Sequence, residues 1–248
     1  FLVGPDVLAT AGHCFEEVDM GTVVFIFGYW LDGDGAPVLT VFESQIYSPT
    51  EVIATELTST VDYTVLRLDR PVTFPGAEPL PIRREGEVSA GTNLGVIGHP
   101  SGLPMKSAFG ATTEVSRVDG SGFFVANLDT YGGNSGSPVF NANTGVVEGI
   151  LVRGEQDFVF DNTNNCFSSN ELPDASAGEE ATLTTLLTPY VLPPLTSEGL
   201  LEFAKPAFHC EEPVEILLSD ADLVNLQGMS LGITTSGGDF EQILVEED

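Results

Sequence analysis

The chain has 248 residues, of which 42% are hydrophobic, enough to bury the core of one medium-sized domain with a smaller one beside it. The chain has only 8 lysines and arginines but 37 aspartates and glutamates, which gives a formal net charge of -29. Such a surface repels nucleic acids and anionic membranes, so a nucleic-acid partner is not expected. No apolar run reaches the roughly 18 residues that a membrane-spanning helix needs, and no membrane span is expected in this sequence.

Short strand-like segments follow one another through most of the chain. They are rich in β-branched and aromatic residues, and glycine, proline, asparagine or aspartate bounds each of them. The clearest are residues 21–30, 63–68, 93–99, 123–128 and 145–154. This pattern predicts an all-β fold, either an antiparallel barrel or a sandwich.

One segment near the end of this region has a helical pattern. Residues 178–191 contain Pro189 near their end, and Pro193 and Pro194 follow, so we expect a C-terminal helix there and a domain boundary after it. Residues 213–220, 228–237 and 240–248 then predict three further strands, too few to close a sandwich. We expect one domain over residues 1–195 and part of a second β module over residues 196–248.

Three polar residues supply the groups that nucleophilic catalysis requires. They are His13 in TAGHC, Asp62 in VDYTVLRL and Ser135 in GGNSGSPVF. An imidazole can deprotonate a serine hydroxyl when a carboxylate holds its other nitrogen. Gly132 and Gly133 permit a backbone turn in which the N–H groups of Gly133 and Ser135 point at one developing oxyanion. The predicted catalytic residues are therefore His13, Asp62 and Ser135, and the predicted oxyanion donors are Gly133 and Ser135.

These motifs, in the order His, Asp, Ser, resemble the chymotrypsin-like serine peptidases, and GGNSGSPVF resembles their bacterial branch that includes the V8-like glutamyl endopeptidases. The resemblance covers residues 1 to about 194. It implies two antiparallel six-stranded β-barrels, the first of them truncated at its N-terminal end because its first strands lie upstream of Phe1. It also implies a secreted, extracellular serine endopeptidase that cleaves proteins or peptides through an acyl-enzyme, without a cofactor or a metal.

The resemblance also bears on specificity. Asp129 occupies the position of the carboxylate at the base of the primary pocket in trypsin-like enzymes, which implies cleavage after Arg or Lys, with Gly154 leaving the pocket open. Glutamyl-specific relatives instead use a Ser or Thr near the position of Thr130 and a histidine where this chain has Leu151, so that alternative is weakened. Arg153 near the pocket mouth either neutralises Asp129 or attracts an acidic side chain.

Other residues carry weaker expectations. Animal trypsin-like enzymes have an aspartate at the position of Asn134 that pairs with a new N-terminus, so the resemblance implies a different activation here. His99 in GHPSG is expected to be a turn residue, and His209 incidental. The family usually bridges the cysteine at the position of Cys14 to one on the preceding strand, which would lie upstream of Phe1. For Cys166 and Cys210 two alternatives are open, a disulfide with each other or with cysteines outside this sequence, and no zinc-binding spacing is present.

The acidic tail, residues 208–248, resembles the opening of the repeated β-sandwich modules of large bacterial surface proteins. This resemblance implies that the peptidase is the front part of a longer multidomain chain. Solvated turn carboxylates are favoured over Ca²⁺ ligands in the tail at Asp220, Asp222, Glu246, Glu247 and Asp248. One alternative function is a non-catalytic surface or adhesion protein that uses the fold as a scaffold. Another is a housekeeping peptidase of the HtrA kind, whose motif has a glycine where this chain has Ser137.

Overall fold

The structure, a computed structural model, describes residues 1–173, 178–193, 200–203, 216–219, 229–234 and 240–245. The chain divides into two compact units, Phe1–Leu192 and Pro193–Asp248. The described residues form seventeen strands and five short 3-10 helices, so the predicted all-β class is confirmed. None of the described helices is long and apolar enough to cross a membrane.

Six strands of the first unit form one closed antiparallel barrel, in the order β10-β13-β8-β7-β6-β9. Large apolar side chains fill it, among them Leu94, Val96, Phe124 and Val139. Every strand of the closed barrel therefore has a partner on both sides. The six are β6 (Asn93–Gly98), β7 (Lys106–Asp119), β8 (Phe123–Ala126), β9 (Pro138–Asn141), β10 (Val147–Arg153) and β13 (Glu179–Leu183).

The N-terminal part of the first unit is an open sheet and not a second closed barrel. Its order is β1-β5-β4, and we call it the N-terminal sheet. Two short strands, β2 and β3, pair beside it, and β11 pairs with β12 as a separate hairpin after β10. The ranges are β1 (Val7–Thr10), β2 (Phe25–Ile26), β3 (Ile46–Tyr47), β4 (Pro49–Leu57), β5 (Asp62–Leu68), β11 (Phe158–Asp161) and β12 (Cys166–Ser169).

A shared core joins the N-terminal sheet to the closed barrel. Ala9 and Val65 of the sheet pack in one buried cluster with Ile150 of the barrel and Leu187 after it. Since burying a side chain of this kind stabilises a fold by roughly 1.5–3 kcal/mol, this contact fixes where the ends of β1 and β5 lie relative to the barrel. Both of the predicted N-terminal site residues are at those ends.

The predicted C-terminal helix over residues 178–191 is wrong. Its first part is β13 (Glu179–Leu183), and a 3-10 helix over Thr184–Leu187 follows. The segment pairs with β10 on one side and β8 on the other, so closure of the barrel supplies its backbone hydrogen bonds. That gain exceeds the small helix preference of the local sequence.

The other strand predictions largely hold. Residues 63–68, 93–99, 123–128 and 145–154 are confirmed as β5, β6, β8 and β10, whereas only Phe25–Ile26 of residues 21–30 is a strand. In the second unit the predicted strands are confirmed as β15 (Ile216–Ser219), β16 (Met229–Thr234) and β17 (Phe240–Val245), with β14 (Leu200–Phe203) paired to β15 and β16 paired to β17. The predicted Ca²⁺ alternative at Asp220, Asp222, Glu246, Glu247 and Asp248 lies outside the described residues, as do His209 and Cys210.

Candidate active site

His13 and Asp62 form a close pair at the ends of two neighbouring strands. His13 lies in the 3-10 helix Gly12–Cys14 just after β1, and Asp62 begins β5. The His13 Nδ1 atom is 2.7 Å from Asp62 Oδ2, and the His13 backbone N–H donates to Asp62 Oδ1 at 3.0 Å. Asp62 is 2% exposed, whereas the imidazole is 36% exposed. A carboxylate on Nδ1 favours the proton there and leaves Nε2 as the free base.

A threonine of the closed barrel holds the other side of Asp62. The Asp62 backbone N–H donates to Thr182 Oγ1 at 3.2 Å, and the Thr182 hydroxyl donates to the Asp62 carbonyl oxygen at 3.0 Å. Thr182 is in β13 and fully buried. The start of β5 is therefore fastened to the barrel at the residue that orients His13. The sequence did not reveal Thr182, because its segment has a helical pattern.

The loop between β8 and β9 places Ser135 next to the segment that precedes His13. Gly136 has a φ of 84°, and a Cβ at this residue would lie 2.2 Å from Thr10 Oγ1 and 3.1 Å from the Ala11 nitrogen. Only glycine permits this approach. Ser135 itself is half-buried. The predicted nucleophile thus belongs to the barrel but packs beside the N-terminal sheet.

In the turn around Ser135, residues 132–137, the backbone N–H groups of Gly133 and Ser135 have no acceptor among the described residues. Gly133 has a φ of 95° and no space for a Cβ, which would lie 2.8 Å from the Ser101 nitrogen. The surrounding N–H groups, those of residues 132, 134, 136 and 137, all donate to protein oxygens at 2.7 to 3.2 Å. Unused donors flanking a serine hydroxyl are what stabilisation of an oxyanion requires.

Ser135 lines a small cavity of about 240 Å³. Three of the predicted specificity residues, Thr130, Arg153 and Gly154, line it as well. Asp129 does not; it is exposed and lines two neighbouring cavities of about 740 and 360 Å³. The remaining wall includes Leu151 and three acidic residues, Glu155, Asp157 and Glu179.

Two charged residues near this cavity have partners or properties that the sequence did not reveal. The Arg153 Nε–H donates to Glu180 Oε2 at 2.8 Å, so Arg153 is paired with Glu180 and not with Asp129. Glu179 is 8% exposed, and burial, together with the negative charge of Asp157, raises its pKa to about 7. The sequence has two adjacent glutamates at 179 and 180, but it does not predict which of them faces the cavity. The pairing of β13 in the barrel places Glu179 there.

Two other polar residues near the site, His99 and Asn134, differ in their contacts. The His99 ring stacks on Tyr29, with centroids 5.6 Å apart, and its Nδ1 is 3.0 Å from the Leu103 carbonyl oxygen. Asn134 is buried, and its Oδ1 has no hydrogen-bond partner within the described part of the chain. His99 thus closes its own turn, as the sequence indicated.

The described cysteines, Cys14 and Cys166, are free thiols. Burial, and then the charge of Asp62, raises the pKa of Cys14, which disfavours its reactive thiolate form. Over the residues that the structure describes, no group of three or more His, Cys, Asp or Glu side chains is placed to hold a metal ion.

The model of the trypsin-like peptidase domain family matches residues 1–150. The chain therefore belongs to the family of trypsin-like peptidase domains, and its fold and family indicate a serine peptidase. No curated protein sequence matches it.

Two solved structures with TM-scores above 0.5 have the same fold, and a third is similar with a lower score. The scabies mite inactivated protease paralogue S-I1 is similar with a TM-score of 0.53 and 15% identity, over 77% of this chain and 83% of that one. Kallikrein-related peptidase 10 has a TM-score of 0.52 and 18% identity, over 77% and 85%. A Glu endopeptidase in complex with MPD has a TM-score of 0.48 and 17% identity, over 75% and 79%.

Proposed function

We propose that this protein is a serine endopeptidase in which Ser135 is the nucleophile, His13 the general base and acid, and Asp62 the residue that orients His13. The observation that carries the proposal is the distance of 2.7 Å between His13 Nδ1 and Asp62 Oδ2. The segment that precedes His13 also packs against the loop that contains Ser135. A buried carboxylate on Nδ1 both fixes the imidazole and stabilises the imidazolium that forms during the reaction.

The residues act in two steps. His13 Nε2 takes the Ser135 hydroxyl proton while Oγ attacks the carbonyl carbon of the peptide bond. The N–H groups of Gly133 and Ser135 donate to the oxyanion that results, and His13 returns the proton to the leaving amine as the C–N bond breaks. Water, deprotonated by His13, then attacks the acyl ester; His13 returns that proton to Ser135 Oγ as the ester C–O bond breaks and the carboxylic acid product leaves. Loss of one oxyanion donor typically lowers the rate about 100 to 1,000-fold.

The substrate that we propose is a protein or peptide with Arg or Lys at the cleaved bond. Three carboxylates line the cavity beside Ser135, at Glu155, Asp157 and Glu179. The one arginine among its described lining residues, Arg153, is paired with Glu180, which leaves it less free to receive an acidic side chain. The formal net charge of -29 also attracts cationic substrates at low ionic strength.

We further propose that the protein acts outside the cell, as a member of the bacterial V8-like branch and as the front part of a longer multidomain chain. The resemblance of its GGNSGSPVF motif and of its tail supports this. In this proposal residues 1–195 are the peptidase domain and residues 196–248 begin a β-sandwich module. The break between the two compact units, after Leu192, is consistent with that boundary.

A second candidate is a non-catalytic protein that uses the peptidase fold as a scaffold. Among the described residues, no hydrogen bond joins the His13 imidazole to Ser135. The fold does not by itself imply activity, and one protein with this fold carries the name of an inactivated protease paralogue. This candidate predicts a folded chain in which Ser135 does not react.

A fluorophosphonate separates the two candidates, because it phosphonylates an activated serine. We expect the full chain to be labelled, Ser135→Ala to lose the label, and Ser137→Ala, in the same loop, to keep it. Cleavage sites in a peptide library should then follow Arg or Lys. Sites after Glu would retain the peptidase and overturn the basic preference. A folded chain that is not labelled would overturn the peptidase proposal and favour the scaffold.

A further inference from the structure

We infer that Glu179, and not Asp129, is the specificity-determining carboxylate that receives the basic side chain of the substrate in the cavity beside Ser135. This inference rests on the proposed function, since it concerns the residue that flanks the cleaved bond. It concerns a residue that the sequence did not single out, in a strand that the sequence did not predict.

The position of Glu179 follows from the closure of the barrel. It is the first residue of β13 and pairs with Ala126, the last residue of β8. It lines the same cavity of about 240 Å³ as Ser135. That volume is below the roughly 300–1,000 Å³ of sites for drug-sized ligands, and it suits a single side chain. Asp129, three residues beyond β8, lines neighbouring cavities instead.

Gly154 leaves the Glu179 carboxylate accessible. A Cβ at residue 154 would lie 2.9 Å from Glu179 Oε1 and 3.0 Å from its Cγ. Any larger residue there would cover or displace the carboxylate. The glycine that the sequence indicated as opening a pocket is therefore in contact with Glu179.

Glu179 has no cationic partner among the described residues, although it is 8% exposed. The neighbouring charged groups have contacts of their own or are exposed, except that Arg153 Nη2 is buried without a hydrogen-bond partner among the described residues. Arg153 is held by Glu180, Asp157 accepts the Gly132 N–H at 2.7 Å, and Glu155 is exposed. The adjoining cavity of about 740 Å³ adds Asp129 and Glu171, and its described lining residues include no basic one. A buried carboxylate without a counterion is costly, and a guanidinium or ammonium group entering the cavity would supply one.

The same surroundings make this selection dependent on pH. Burial, followed by the negative charges of Asp157 and Glu155, raises the pKa of Glu179 to about 7. Glu179 is then mostly ionised at pH 8 and mostly protonated at pH 6. A cation binds only the ionised form well, so its affinity should fall about 10-fold over this interval.

The first test is binding of 4-aminobenzamidine, an aromatic amidinium, to the full chain carrying Ser135→Ala, at fixed ionic strength. This probe reports on the cavity whether or not Ser135 reacts. We expect Glu179→Gln to weaken binding about 100-fold at pH 8, as loss of one partner of a buried charge pair does. Binding by Glu179→Gln should not change between pH 6 and 8. The matched variant Asp129→Asn should stay within about 3-fold of the parent.

The second test compares kcat/KM for two peptides that differ only in Arg or Leu at the cleaved bond, with Ser135 intact. Glu179→Gln should lower kcat/KM for the Arg peptide about 100-fold and change that for the Leu peptide only a few-fold. The inference would be overturned if only Asp129→Asn lost amidine binding and kcat/KM on the Arg peptide, or if the folded parent did not bind the amidine. If fluorophosphonate labels Ser135 in all variants while Glu179→Gln retains the Arg preference, only this inference fails. If the folded parent is not labelled, the proposed function fails.

Discussion

The closed barrel and the N-terminal sheet provide different parts of the site and are constructed differently. The barrel provides Ser135 and the unused N–H groups of Gly133 and Ser135 from the loop between β8 and β9, as well as the cavity wall, and its strands all pair on both sides. The N-terminal sheet provides His13 and Asp62, and its outer strands β1 and β4 each pair on one side in the described part of the chain. A closed sheet has no unpaired edge, whereas the open sheet packs on the barrel through their shared core.

The ion pairs of the two regions also differ, because the pair in the barrel is buried and those in the sheet are exposed. In the barrel, Glu148 is fully buried and binds Arg83 through two hydrogen bonds, one of them 2.9 Å long, as well as the Asn141 amide at 2.9 Å. In the sheet, Arg67 is 45% exposed and pairs with Asp6 and Glu51 on the surface. The buried ion pair therefore contributes to the stability of the barrel, whereas the exposed ion pairs contribute little to the stability of the N-terminal sheet.

The largest effect on stability should come from Arg83→Met, which leaves the buried Glu148 without its cation. Removal of one partner of a buried pair costs about 3–5 kcal/mol in the free energy of unfolding, to be measured by urea denaturation. The control is the double variant Arg83→Met/Glu148→Met, which should recover most of the loss. A single variant that costs less than about 1 kcal/mol would show that the barrel does not depend on this pair.

Glu179→Gln should change the pH dependence of stability. The pKa of Glu179 rises from 4.5 to about 7 on folding, so folding favours the protonated form. The stability that the protonated Glu179 contributes to the folded state is fully present below pH 4.5 and is lost as the pH rises through 7. The variant should be more stable than the parent at pH 8 by up to about 3 kcal/mol and equal to it at pH 4. Denaturation of both proteins at each pH gives the difference, and a constant difference would contradict the raised pKa.

Thr182→Val tests how the sheet is fastened to the barrel. It leaves the Asp62 backbone N–H and carbonyl without their shared partner, which should cost about 1–3 kcal/mol and lower kcat. Thr184→Val is the matched control, because Thr184 Oγ1 donates to the Val147 carbonyl oxygen at 2.8 Å and does not contact Asp62. The control should lose a similar amount of stability and keep its kcat. Equal losses of kcat in both variants would contradict a positioning role for Thr182.

The smallest effect is expected at Arg67→Met in the N-terminal sheet. Exposed ion pairs contribute about 0–1 kcal/mol, so the midpoint of urea denaturation should barely move, and kcat should be unchanged. A loss comparable to that of Arg83→Met would mean that the sheet depends on its surface charges as much as the barrel depends on its buried pair.

Local sequence was sufficient for some of these features and not for others. Runs of β-branched and aromatic residues predicted β5, β6, β8 and β10, and the glycine pattern around Ser135 indicated the loop. Thr182 and Glu179 were missed because their roles depend on pairing between distant segments: Thr182 meets Asp62 across 120 positions of sequence. The long β7 was missed as well, since its side chains are mostly exposed and give little apolar alternation.

The central claim is that His13, Asp62 and Ser135 act as one catalytic unit across the two regions. The most direct measurement compares kcat on an Arg peptide for His13→Ala, Asp62→Ala and the double variant. Residues of one unit are strongly non-additive: His13→Ala should cost about 10⁶-fold, Asp62→Ala about 10⁴-fold, and the double variant about the same as His13→Ala alone. A double variant whose loss equals the product of the two single losses, or a folded parent without activity, would contradict the account.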